Sequence, residues 1–300
     1  MVDSALGQSC CSGGAPLSGN LGLPMANRQN LQFSLSYDLN KLNTLKSGTE
    51  ILDDNTRTRT THTLLFQSGY TINKHIAIEV LVPWVRQERE VKPVGLPSTF
   101  ELTSGIGDIV LLSKYRFFDN YQLGIGIKLP SGKSNKANAQ GLTLNADLQP
   151  GSGSWDFIYW FSSQHQLKFR QSLALHTVAT YRATGQNNAY LGSQAYKFGN
   201  ETQVQIGISD QFLIFSQIVS PSLSFKYRHV LADQNNSFDV PSTGGNWLFI
   251  KPGLNYSIGT HFNILTTIDL PLYANLEGTQ ITPTFRFNIS VLLNLNLSKP

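Results

Sequence analysis

The chain has 300 residues, a formal net charge of +4 and only 14% charged residues. No apolar run reaches the roughly 18 residues that a membrane-spanning helix needs, which excludes a helical membrane protein. The basic residues are scattered along the chain, so the sequence does not predict nucleic-acid binding. The cysteines, Cys10 and Cys11, are adjacent and therefore cannot cross-link distant parts of a fold.

Residues 1–27 are rich in glycine, serine and proline and show no periodicity, which predicts an irregular N-terminal segment. The small residues before Gln8 are typical of a cleavage site, so we expect a leader remnant up to about residue 7. The rest of this segment is predicted to plug the fold or to dock a partner. Cys10 and Cys11 could bind a soft metal ion as thiolates, although no histidine lies at ligand spacing. A bond between them, a bond to another chain and a lipid anchor are the alternatives.

From residue 28 onwards, apolar and polar residues alternate over long stretches. A period of two predicts β-strands, because successive side chains point to opposite faces of a sheet. The phase of the ninth strand is unclear around Pro221. The predicted strands lie near residues 31–39, 64–72, 76–84, 109–117, 121–129, 155–161, 167–181, 203–208, 212–227, 248–256, 262–269 and 285–295.

The connections between these strands alternate between tight turns, near residues 73, 119, 165, 210 and 260, and long loops. An even strand count with this alternation is typical of outer-membrane barrels. A soluble sandwich or a lipocalin-like barrel is the alternative, but soluble strands are commonly only ~5–6 residues long. Aromatic residues also cluster at the strand ends, as in the interfacial girdles of membrane barrels. We therefore predict an all-β fold, a 12-stranded antiparallel transmembrane β-barrel of the outer-membrane type over residues 28–300.

Several short motifs lie next to the predicted loops: GIGD at 105–108, KY at 114–115, LPSG at 129–132, and QPGSG at 149–153 followed by Asp156. On the basis of these motifs, residues 60–290 resemble a bacterial outer-membrane family named for the MetA pathway of phenol degradation. The resemblance implies a 12-stranded outer-membrane barrel and a transport role connected with aromatic compounds, and it implies no catalytic residues. The adjacent cysteines and the C-terminal Leu297-Ser298-Lys299-Pro300 are not part of the pattern.

If the apolar residues of each strand face outward, most charged strand residues point into the lumen. The candidate lumen-lining residues are Glu79, Lys114, Arg116, Lys128, Asp156, Lys168, Arg170, Lys251, Asp269 and Arg286. An excess of cations would bias a polar pore towards anionic or polar solutes. The alternative is a plugged lumen whose charges pair across the barrel, because unpaired buried charges are costly.

The sequence gives little support for an enzyme. A nucleophilic site needs a serine beside a histidine base, and none of the six histidines is followed two residues later by serine. The chain also contains no Gly-x-Ser-x-Gly motif and no phosphate loop. We expect no catalytic activity and no cofactor.

The predicted function is passage of small solutes, aromatic or anionic ones included, across the outer membrane of a diderm bacterium. The alternative is a non-conducting barrel that serves as a subunit of a larger envelope complex. Expected partners are outer-membrane lipid and envelope proteins that contact the N-terminal segment and long loops. The long loops are expected to be extracellular and the tight turns periplasmic.

Overall fold

A computed structural model describes residues 21–26, 29–54, 56–93 and 95–297 of the chain. In these residues, twelve antiparallel strands form a closed barrel, which confirms the predicted fold class. The barrel strands are β1 (Asn30–Leu42), β2 (Arg57–Thr71), β3 (Ile76–Val91), β4 (Val110–Phe118), β5 (Tyr121–Lys128), β6 (Asp156–Leu167), β7 (Arg170–Thr184), β8 (Glu201–Ser209), β9 (Gln217–Val230), β10 (Gly245–Ile258), β11 (Phe262–Leu276) and β12 (Phe285–Asn296). Each strand pairs with its neighbours in the chain, and β1 closes the ring by pairing with β12.

The hairpin of β4 and β5 shows how the sequence builds the barrel wall. Its outward apolar residues are exposed, with Tyr115 at 52% and Ile125 at 63% of their maximal surface. The intervening Lys114 and Lys128 are buried on the inner face. The alternation predicted from the sequence therefore gives an apolar outer surface and a charged inner one.

The turn between β6 and β7 differs from the prediction. The polar pair at 165–166 predicts a turn, yet both residues continue β6, and the turn lies at 168–169. Residues 171–173 bulge out of the ladder, so Gln166 pairs with Ala174. A bulge hides the period of two, and the position of the turn could not be read from the polar pair alone.

The long loop between the strands predicted at 76–84 and 109–117 is largely a second hairpin. Strand β3 continues to Val91, and a strand at Thr99–Ile106 pairs back onto it. The end of β3 carries charges on both faces, among them Arg89, which pairs with Glu101, so the apolar alternation stops there. The strand that pairs back keeps only a short apolar face, formed by Phe100, Leu102 and Ile106.

Pro83 lies where β3 changes partner. Residues up to Leu81 pair with β4, and residues from Trp84 onwards pair with Thr99–Ile106. Proline lacks the backbone donor that a continuous ladder needs, so it fits a position between two ladders.

The other long loops also contain short elements. These are the strands Thr44–Ser47, Glu50–Leu52, Gln186–Tyr190, Gln194–Lys197, Gln234–Asn235, Phe238–Asp239 and Thr279–Thr282, and a 3-10 turn at Ala146–Leu148. A further strand, Phe212–Ile214, extends the tight turn between β8 and β9. Within the described residues, no helix is long and apolar enough to cross a membrane.

Candidate functional site

The inner face of the barrel holds most of the predicted lumen residues. Those buried or half-buried there are Glu79, Lys114, Arg116, Lys128, Asp156, Lys251, Asp269 and Arg286. Lys168 and Arg170 lie elsewhere: both are exposed at the tight turn between β6 and β7, where Arg170 pairs with Asp210 at 2.7 Å. Lys168 and Arg170 lie outside the lumen because the turn after β6 comes three residues later than the sequence predicts. Whether the inward residues border a conducting path stays a prediction.

An ion-pair cluster around Lys128 joins the motifs singled out in the sequence. Its ammonium lies 2.7 Å from Asp108 and 3.2 Å from Asp156, and it also contacts the hydroxyl of Ser152. Ser152 donates a hydrogen bond of 2.6 Å to Asp108. The GIGD and QPGSG motifs thus anchor the loop at 129–155 to the inner wall.

The charges continue along the wall from this cluster. Glu201 accepts from Arg182 at 2.9 Å and from Arg228 at 2.6 Å. Asp269 pairs with Lys226 and lies 3.7 Å from Lys251. On the next strand, Arg286 is the cross-strand neighbour of Asp269 and donates to Asp38 at 2.7 Å. Pairing of this kind offsets much of the cost of burying charge.

Residues 21–26 run through the barrel interior and are held there by polar contacts. The amide of Leu23 donates to Glu79 at 2.8 Å, and its carbonyl accepts from Lys114. Glu79 and Lys114 also pair with each other. The carbonyl of Met25 accepts from Arg116 at 2.5 Å. Three predicted lumen residues are thereby brought together as the clamp of this segment.

An apolar cluster on the inner wall supports the same segment. Leu21 packs against inward side chains of β2, β3, β4 and β6, and its carbonyl accepts from the indole of Trp160 at 3.1 Å. Those side chains are Leu65, Leu81, Val110, Leu112, Ile158 and Trp160. Sequence reasoning missed them because it treated the inner face as polar throughout. The signal was present as consecutive apolar pairs such as Leu111-Leu112, which make both faces of a strand apolar.

At the opposite end, the loop at 129–155 reaches into the barrel mouth. Its Asp147 pairs with Arg59 at 2.6 Å, and the carbonyl of Leu148 accepts from Thr103 at 2.5 Å. Leu148 is fully buried. This loop therefore narrows the lumen at the long-loop end.

An aromatic cluster packs above this loop. Tyr190, Tyr196 and Phe198 lie against one another and against Ala146. The hydroxyl of Tyr196 donates to Asp233 at 2.7 Å, and the amide of residue 199 donates to the same carboxylate at 2.8 Å. Burial raises the pKa of Asp233 to about 6, and burial together with that carboxylate also raises the pKa of Tyr196.

Three cavities adjoin one another inside the barrel towards the tight-turn end. Their volumes are ≈ 520, ≈ 690 and ≈ 280 Å³. The first two share Gly22, Leu23 and Pro24 as lining residues, so open space lies on two sides of the N-terminal segment. His176 lines the second and third cavities.

No group of three or more histidine, cysteine, aspartate or glutamate side chains within the described residues could hold a metal ion. Cys10 and Cys11 lie outside the described residues, as do residues 1–20 altogether, so the metal and leader predictions stay untested. The division of the chain at residue 27 likewise stays a prediction.

The closed ring, the apolar outer surface and the charged interior define a β-barrel of the outer-membrane type. The fold is similar to the crystal structure of the COG4313 outer membrane channel from Pseudomonas putida F1, with a TM-score of 0.69 and 14% identity over 91% of this chain and 97% of that one. It is also similar to the beta domain of the Bordetella autotransporter BrkA, with a TM-score of 0.53 and 9% identity over 89% of this chain and 100% of that one. At these identities the likeness establishes the fold.

No family model matches the sequence, and no curated protein matches it. The resemblance to the family named for the MetA pathway therefore stays a prediction.

Proposed function

We propose that this protein is an outer-membrane channel for small solutes, with a lumen gated by residues 21–26 and by the loop at 129–155. The observation that carries the proposal is the open space on two sides of the N-terminal segment. Cavities of ≈ 520 and ≈ 690 Å³ share three residues of that segment as lining. A segment that lines both cavities lies between them and would obstruct a path that joined them.

The outer surface supports a membrane location. Apolar side chains such as Phe225 and Ile206, each 50% exposed, cover the wall. Contiguous apolar surface of this extent is not stable in water, and lipid is the partner that covers the wall of a closed barrel. The likeness to an outer-membrane channel from Pseudomonas putida F1 agrees with this location. By analogy with such barrels, the proposal places the long loops outside the cell and the tight turns in the periplasm.

The contacts inside the barrel support passage of solutes better than a catalytic role. Most buried charges among the described residues of the barrel are engaged in ion pairs or in holding residues 21–26, as Glu79 and Lys114 show. Such contacts can break and re-form without a chemical step, and this is the property that a gate needs. Paired charges and an inserted segment give a narrow resting state, and movement of the segment would widen it.

Swelling of proteoliposomes tests the proposal. Purified protein is reconstituted into lipid vesicles, and the vesicles are transferred to an isotonic solution of a small neutral solute. Vesicles with the protein should swell faster than vesicles without it, because the solute enters through the lumen. The test uses one solute of the size of glycerol and one of the size of a monosaccharide. If, for both solutes, vesicles with the protein swell no faster than vesicles without it, the result would contradict a channel.

A further inference from the structure

The ≈ 520 Å³ cavity is formed by the N-terminal segment on one side and by the far wall of the barrel on the other. Leu21, Leu23 and Pro24 supply an apolar side. The opposite wall supplies mainly carboxamides and hydroxyls, including Gln205 and Thr180, together with the apolar side chains of Val178, Leu265 and Leu292. The volume lies within the range of about 300–1,000 Å³ that is common for small-molecule sites.

The cavity has little uncompensated charge. Among the described residues that line it, Lys226 alone carries a charge. The ammonium of Lys226 is engaged by the carboxylate of Asp269 and lies 4.8 Å from the centre of the Phe249 ring. An anion that entered would lose its hydration and find no free cation among these lining residues, which makes its entry costly.

The carboxamides and hydroxyls of the wall match a different kind of solute. Each of them both donates and accepts hydrogen bonds, and a solute hydroxyl does the same. A solute with several hydroxyl groups can therefore replace its hydration at this wall. The C–H surface of such a solute would meet Leu21, Leu23 and Pro24 on the other side.

We propose that this cavity selects uncharged, polyhydroxylated solutes of monosaccharide size, such as sugars and polyols, over anions. This inference rests on the proposed channel function and adds its substrate class. It departs from the anionic bias that the excess of inward cations predicts, because the charged residue that lines this cavity, Lys226, is already engaged by Asp269.

Glucose and gluconate provide a comparison of solutes that are similar in size and differ in charge. In the proteoliposome assay, glucose should enter the vesicles at least tenfold faster than gluconate. Equal rates, or faster entry of gluconate, would overturn the inference and leave the channel proposal intact. Entry of neither solute, nor of glycerol, would instead contradict the channel proposal itself.

A charge placed in the cavity gives a second test. Gln205→Lys adds an unpaired cation to the lining and should raise the gluconate-to-glucose ratio at least tenfold. The matched control is Gln186→Lys, which adds the same charge on an exposed residue of the loop strand Gln186–Tyr190, outside the proposed gates, and should leave the ratio unchanged. If the first variant does not fold, Thr180→Lys places the charge on the same wall. An unchanged ratio in a folded cavity variant would overturn the assignment of this cavity.

Discussion

The backbone amide of Leu23 donates a 2.8 Å hydrogen bond to the buried carboxylate of Glu79. This contact ties the N-terminal segment to the third barrel strand, across 56 residues of sequence. Lys114 completes the clamp by pairing with Glu79 and bonding the carbonyl of Leu23. The N-terminal segment thus supplies backbone hydrogen-bond partners to the buried side chains of Glu79 and Lys114.

Removal of Lys114 should destabilise the barrel. Lys114→Met leaves the Glu79 carboxylate buried without its cation, and breaking a buried pair in this way costs about 3–5 kcal/mol. The measurement is heat or urea unfolding in detergent, followed by circular dichroism. The double variant Glu79→Gln/Lys114→Met should recover much of the loss, because no unpaired charge remains. A single variant as stable as the wild type would show that the pair is not buried as described.

Displacement of the N-terminal segment should open the lumen. Gly22 has a φ of +91°, and a Cβ at this position would overlap the ring of Trp160. Gly22→Ala should therefore push the segment aside and increase solute entry several-fold. Gly192→Ala is the control, since Gly192 lies outside both proposed gates and has a φ of +93° with nothing within 4 Å of the added carbon. Equal effects of the two variants would attribute the change to backbone strain and not to the clash.

The loop at 129–155 should depend on its ion pair in the barrel mouth. Arg59→Met leaves Asp147 without its 2.6 Å partner, so amides near 144–150 should exchange faster with deuterated solvent. Arg86→Met removes an exposed cation of the pair with Glu88 and should have little effect, because exposed pairs contribute little. Unchanged exchange in the first variant would contradict the role of Arg59 as an anchor.

The outer wall can be tested with a charge. Ile125→Arg places a cation on the apolar face of β5, where lipid contact makes it cost about 2–4 kcal/mol near the bilayer midplane. Leu142→Arg is the matched control: Leu142 is 67% exposed and Ile125 is 63% exposed, but Leu142 lies in a long loop. Unfolding in lipid vesicles should separate the two variants. Equal stabilities would argue against burial of the wall in a membrane.

Acidification should tighten the aromatic cluster at the loop end. The pKa of Asp233 is raised to about 6 by burial, above its ordinary value, so the folded loop binds the proton more tightly than the unfolded one. The resulting stabilisation, about 3 kcal/mol, is fully present below pH 4 and is lost as the pH rises through 6. Amide exchange around residues 195–199, corrected for its intrinsic pH dependence, should slow between pH 7 and pH 5. Asp233→Asn, which mimics the neutral acid, should remove this dependence.

The architecture could be predicted from the sequence because successive side chains of a strand point to opposite faces of the sheet. Alternation in β4 and β5 is uninterrupted, so the outward position of Ile125 and the inward positions of Lys114 and Lys128 followed directly. Lys226 and Arg228 were missed as inward residues because Pro221 obscured the phase of β9. Once Phe225 and its neighbours are known to face outward, the two cations must face inward.

The site itself could be predicted only in part. Pairing partners such as Asp147 for Arg59 come from a long loop whose path leaves no periodic signal. The apolar inner cluster around Trp160 depends on the N-terminal segment that fills the space beside it. Local alternation reports which face a residue occupies, whereas contacts across the lumen depend on the closed ring.

Planar-bilayer recording of the purified protein measures directly whether the barrel conducts. A gated channel predicts discrete single-channel currents from the wild type and larger or longer openings from Gly22→Ala. The barrel must first be shown to be folded by circular dichroism in the same detergent. Absence of discrete currents from both folded proteins would contradict a gated channel and favour a non-conducting barrel.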